Sequence, residues 1–154
     1  MVLKTVKRAI SGLVLERPVR NWTLDEFIAH LDRAGDGIAH HIAQAKGTDR
    51  NRAQLRHVIG IERWSQRRLM VTLGDDLIID EYDDYRPDAD MEWDALCAEF
   101  QTTRADTLSL LHSLAEVEAD LARLIPHNQY GDLTVRGWLR YLDMHANAES
   151  RRIR

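Results

Sequence analysis

The chain has 154 residues, 44% hydrophobic and 30% charged, with only 8 Gly and 3 Pro; this is the composition of one globular domain built from helix formers. A formal net charge of −4 and a pI near 6.0 leave no global cationic field for a phosphate backbone, which argues against nucleic acid as a primary partner. One cysteine, Cys97, excludes an internal disulfide and a cysteine-rich zinc site, and it fits a reducing cytoplasm.

The N-terminal stretch is basic and briefly apolar, but Glu16 and Arg17 interrupt it and no small-x-small cleavage site follows. It does not read as a signal peptide, and no stretch approaches the roughly 20 apolar residues of a membrane span. The expectation is a cytoplasmic protein without a membrane partner. Residues 1–20 fit either an extra helix or an extended arm, in one domain that takes in the whole of 1–154.

The first predicted helix opens at Thr23, which forms a capping box with Glu26, and Trp22 can staple against Phe27. Leu24, Phe27, Ile28, Leu31, Ile38 and Ile42 carry its apolar stripe. Gly35 and Gly37 weaken its middle and suggest a kink or a close contact. Gly47 suits its C-cap. A second helix follows almost at once, with Asp49 as the expected cap, Leu55, Val58, Ile61, Ser65 and Leu69 on its inner face, and Gly74 ending it. The acidic stretch from Gly74 to Asp90 is aperiodic and reads as a long solvated loop.

Trp93, Leu96, Phe100, Thr107, Leu111 and Leu114 define the third helix. A polar break near 115–120 leads to Leu121, Leu124, Ile125 and Pro126, then a turn at Tyr130-Gly131. The fourth helix is capped by Thr134 or Asp132 and uses Val135, Trp138, Leu139, Leu142 and Ile153. Without a convincing alternating strand, the pattern predicts an all-α four-helix bundle with a long loop between helices 2 and 3.

Projection at about 100° per residue identifies the chemistry-bearing positions. In the last helix His145 falls among Tyr141, Trp138 and Leu142, and Glu149 falls beside Leu142 and Ile153. Both therefore lie inside the apolar stripe, where an unpaired carboxylate costs several kcal/mol. His57 projects close to Ile61 and Trp64 in the second helix. Three such residues from facing helices make a metal site with open positions, although buried His and Glu side chains also satisfy each other.

The other histidines are weaker candidates. His30, His40 and His41 read as structural or solvent-facing, and His112 has no second ligand at helical spacing. His127 reads as a loop residue bordering a pocket, and Cys97 as packing. No nucleophile elbow, Gly-rich phosphate loop or EF-hand spacing occurs.

The segment HVIGIERWSQRRLMVTLGDD, beginning at His57, resembles the second helix of the DinB/YfiT-like family. HNQYGDLTVRGWLRYLDMHANAESRRI, from His127 to Ile153, is similar to that family's last helix and its approach. The resemblance covers residues 22–153. It implies a four-helix bundle holding a divalent metal, often nickel or zinc, through three histidines, and activity as a thiol S-transferase or a metal-dependent hydrolase. His57 and His145 match the first two ligands. The third position is Glu149 here, which would give a two-His-one-carboxylate site and admit manganese or iron as well. Implied partners are a small-molecule substrate, a low-molecular-weight thiol such as bacillithiol or mycothiol, and a second copy in a homodimer. Tyr82, Tyr85 and His127 are placed for the mouth of the site. No catalytic residue is assigned. The alternative is a non-catalytic binding or interaction bundle that has lost the metal, with Glu149 paired to His145 or Arg152.

Overall fold

The computed structural model describes residues 11–154; residues 1–10 of the N-terminal segment lie outside them. A π-helical turn, Gly12–Glu16, runs into a 3-10 turn, Arg17–Val19, so the described part of the ambiguous first 20 residues is helical and not an extended arm. Four long helices follow: α1 (Leu24–Ala43), α2 (Asp49–Leu69), α3 (Trp93–Glu116) and α4 (Val135–Ser150). A small antiparallel pair, β1 (Leu124–His127) and β2 (Gly131–Thr134), connects α3 to α4.

The helix starts follow local chemistry. Thr23 accepts from the Glu26 amide while Glu26 reaches back to the cap, and Trp22 packs on Phe27 with ring centroids 5.0 Å apart. Helix α2 is capped by Thr48, whose hydroxyl accepts from Asn51 N. Asp49, the expected cap, is instead the first helical residue, where its charge favours the positive end of the helix dipole. Thr134 caps α4 through Gly137 N. A 3-10 turn, Met70–Leu73, extends α2, and Gly74 ends it at φ 106°, a left-handed conformation that glycine adopts freely.

Three further expectations are corrected. Helix α1 ends at Ala43 with Gln44 as its cap; Gly47 serves close packing, since a Cβ there would come within 2.5 Å of Trp93 Cβ. Residues 124–134 form a hairpin with Leu124 opposite Thr134 and His127 opposite Gly131. Strands this short carry too few alternating positions to stand out in sequence, and Pro126 obscures the first. The acidic loop is also ordered: it contains a 3-10 turn, Tyr82–Tyr85, pressed against α2.

Helices α1 and α2 each pack against both α3 and α4. One part of the core gathers Trp64, Trp138, Leu111 and Leu142; another gathers Ile38, Ile42, Leu55 and Phe100. Among the buried polar groups is the Glu62 carboxylate, which takes Arg104 Nε and Nη2 at 2.8 and 3.0 Å and the Thr107 hydroxyl at 2.7 Å. Desolvation of such a pair is offset only by this kind of complete hydrogen bonding. No helix among the described residues is long and apolar enough to cross a membrane.

Candidate functional site: a histidine pair between α2 and α4

His57 of α2 and His145 of α4 meet across the helix interface with their Nε2 atoms 3.1 Å apart and ring centroids 4.9 Å apart. Helical spacing puts each imidazole on the inward face of its helix, and the packing of α2 on α4 makes them meet. Burial is the main force lowering the pKa of both. For His57 the nearby Arg86 guanidinium adds to it, against the opposing pull of Glu149 and Asp83. His145 is brought down to about 4 by burial and then by His57, with Glu149 opposing. Both rings are therefore neutral near pH 7, the protonation state in which imidazole ligates a metal. In a tetrahedral zinc site with its usual bond lengths, two nitrogens stand about 3.3 Å apart, close to the spacing of this pair.

Glu149 lies one turn beyond His145 on α4, but its carboxylate is engaged elsewhere. Oε2 accepts from Gln54 Nε2 at 2.8 Å and from Arg152 Nη1 at 3.0 Å. Among the described residues no three His, Cys, Asp or Glu side chains gather as a metal-holding group. The structure thus brings together two of the three sequence-predicted ligands and places the third beside them with partners of its own. Sequence reading missed Gln54, which precedes His57 by about one turn on α2; only the rotation of α2 against α4 makes it face Glu149.

An aromatic wall surrounds the pair. Tyr82 stands edge-on to His57 with centroids 5.2 Å apart, and Arg86 lies 5.2 Å from the Tyr82 ring centroid. Gly60 lets this turn approach α2, since a Cβ there would come 2.7 Å from Arg86 Cγ and 3.3 Å from Tyr82 O. Tyr85, also expected at the mouth, is tied to Asp80 through its hydroxyl.

His127 is not a loop residue. It ends β1, is 6% exposed, and packs against Tyr130, Trp138 and Tyr141 with centroids 4.8, 4.8 and 4.6 Å away. Its Nδ1 accepts from the Gln129 and Tyr130 amides, which leaves the proton on Nε2. Burial, with the Arg68 charge adding to it, lowers its pKa to about 3.

Three of the remaining histidines have structural partners. His30 Nε2 bonds Asp143 Oδ2 at 2.9 Å, His41 Nε2 bonds Ile153 O at 3.0 Å, and His40 meets Gln44. His112 is exposed. Burial raises the pKa of the Cys97 thiol, and Asp94 adds to the effect, so the thiol stays protonated at neutral pH.

The site opens onto a cavity of about 210 Å³ between the N-terminal turn and α4, with His145 and Glu149 at one side and Val14, Leu15, Tyr141 and Met144 among its walls. Fold and site together define a helical bundle with a half-buried, neutral histidine pair beside a largely apolar cavity. The sequence profile of the DinB superfamily matches residues 12–147, and the chain belongs to that superfamily. Searches of curated proteins and of solved structures find no match.

Proposed function

We propose that the protein is a divalent-metal-dependent enzyme acting on a small molecule, with thiol S-transfer ahead of hydrolysis. The carrying observation is the 3.1 Å approach of two neutral imidazole Nε2 atoms from different helices, an arrangement suited to zinc or nickel. His57 and His145 would hold the ion, and Glu149 would join them by exchanging Gln54 and Arg152 for the metal, which also admits manganese or iron. A bound divalent ion supplies Lewis acidity that lowers the pKa of a thiol or water. The protein's own groups define the surroundings: Tyr82 and Tyr141 limit water at the imidazoles, and Gln54 holds the Glu149 carboxylate beside them until a metal displaces it. A cytoplasmic setting fits the free Cys97 thiol.

The test is metal analysis of tag-free protein purified without chelator, followed by melting curves with Zn²⁺, Ni²⁺ and Mn²⁺. Stoichiometric metal, a raised melting temperature, and loss of both in His57→Ala and His145→Ala are expected. A thiol-transfer assay on a panel of electrophiles then defines the reaction. Absence of metal together with unchanged melting sinks this reading.

A second reading is favoured by the Glu149 contacts. With its carboxylate satisfied by Gln54 and Arg152, the two histidines can simply share one hydrogen bond in a non-catalytic binding bundle. Glu149→Gln discriminates between them: it weakens metal binding on the first reading and leaves it unchanged on the second.

A further inference from the structure

The cavity beside His145 differs from its surroundings in charge. Among the described residues its walls include Val14, Leu15, Tyr130, Tyr141 and Met144 beside the Ser11 hydroxyl and the His145 ring, and the ionised side chain that lines it is Glu149. Among the described residues neither lysine nor arginine lines it. The nearest charge an entering group meets is this carboxylate, whose pairing with Arg152 weakens its field without reversing its sign, so a mostly apolar pocket of this kind disfavours an anion and tolerates a neutral or cationic group.

The walls are held in place before any ligand arrives. Thr134 N and Oγ1 donate to Glu16 at 2.9 and 2.6 Å, which fixes the N-terminal turn bearing Val14 and Leu15. Tyr141 is wedged between His127 and Trp138, with ring centroids 4.6 and 5.8 Å away. A preformed apolar pocket with few polar groups is the usual form of a small-molecule site. Its volume of about 210 Å³ compares with an engineered cavity of about 150 Å³ that takes up benzene, so a six-membered ring with a short substituent fits.

We infer that this cavity is the subsite for an uncharged or cationic alkyl or aryl group of the substrate, and that it rejects carboxylates and phosphates. The inference rests on reading the histidine pair as the reaction centre, since it makes this group the neighbour of the reacting atoms. An anionic thiol is then held outside the cavity, and the apolar group belongs to the molecule it meets.

Binding of the apolar group needs no metal, so the experiment uses the full chain after chelator treatment, titrated with benzyl alcohol, benzylamine and benzoate by NMR. Saturable binding of the alcohol and the amine, with a shift of the Met144 methyl resonance, is expected. Benzoate should bind at least about tenfold more weakly. Val14→Trp, a change at an exposed wall position, should abolish uptake with its melting curve retained. Glu149→Gln should bring benzoate close to the alcohol.

No saturable uptake of benzyl alcohol, binding unaccompanied by a shift at Met144, or benzoate binding as tightly as benzylamine would each overturn the assignment. The Met144 signal decides the matter in the unmodified protein even if Val14→Trp fails to fold. Uptake of benzyl alcohol by a protein that binds no metal keeps the subsite and removes the enzymatic reading. Metal binding without uptake does the reverse.

Discussion

The Tyr85 hydroxyl donates to Asp80 Oδ2 over 2.6 Å, and that bond makes the acidic loop part of the wall around His57. Asp80 is the hub. Trp64 Nε1 donates to its side chain at 3.1 Å, and Arg68 Nη2 and Asn128 Nδ2 donate to its backbone carbonyl at 3.1 and 2.9 Å. Helix α2, the loop and the hairpin are thereby tied together two residues before Tyr82.

Asp80→Ala should therefore cost about 2 kcal/mol, because it leaves the Tyr85 hydroxyl and the Trp64 indole without their side-chain acceptor. Chemical denaturation measures this loss. A spectroscopic titration adds a local readout. Burial and then the bond to Asp80 push the Tyr85 phenol up to about 12, and in the variant it should move toward 10. The folded state holds this proton more tightly than the unfolded chain does. Its contribution to stability is complete below pH 10 and is lost as pH rises toward 12. A phenol that titrates unchanged in Asp80→Ala would remove Asp80 from this role.

Two glycines two residues apart in α1, on opposite faces of the helix, separate close packing from helix weakening. A Cβ on Gly35 would lie 2.8 Å from Arg104 Cγ, whereas one on Gly37 meets nothing within 4 Å. Arg104 cannot yield cheaply, because Glu62 and the Leu31 carbonyl both hold its guanidinium. Gly35→Ala should destabilise by about 1–3 kcal/mol through overpacking. Gly37→Ala should stabilise by roughly 0.5–1 kcal/mol, through helix propensity and a less flexible unfolded chain. Thermal melts of the two variants give the sign directly, and equal effects would refute the distinction.

The sequence exposes whatever depends on neighbours along one helix. The Thr23–Glu26 capping box, the Gly74 stop and the inward projection of His57 and His145 are all of that kind, and all are found in the structure. It conceals whatever depends on how elements rotate against one another. Gln54 faces Glu149 only once α2 lies on α4, and Asp80 gathers donors from positions 64, 68, 85 and 128. The β1–β2 hairpin is hidden for a different reason: its burial pattern spans only four residues per strand. Gly35 shows both limits, since its oddity is visible in sequence but its partner Arg104 is not.

The Glu62–Arg104 pair should show strong non-additivity. Glu62 is 1% exposed and Arg104 4%, so Arg104→Met leaves a buried carboxylate without its counter-charge. That loss should cost about 3–5 kcal/mol. Adding Glu62→Leu should recover a large part of it, because the stranded charge is then gone. A double-mutant cycle in urea measures the coupling. Costs that simply add would show that the pair is not a unit.

Acid stability should depend on His127. Its Nδ1 accepts from the Gln129 and Tyr130 amides at 3.1 and 3.3 Å, and protonation there breaks both bonds inside an aromatic enclosure. Burial, with Arg68 adding to it, takes its pKa from the ordinary 6.5 to about 3. Below pH 6.5 the unfolded chain binds a proton that the folded state refuses. The stability that this neutral ring provides is thus complete above pH 6.5 and is lost as pH falls toward 3, by up to about tenfold in the folding constant per pH unit. His127→Asn removes the titrating ring, so the urea midpoint of this variant should fall less steeply than that of the unmodified protein between pH 6.5 and 4.5. Equal slopes in the two proteins would mean that His127 is not held neutral by the fold.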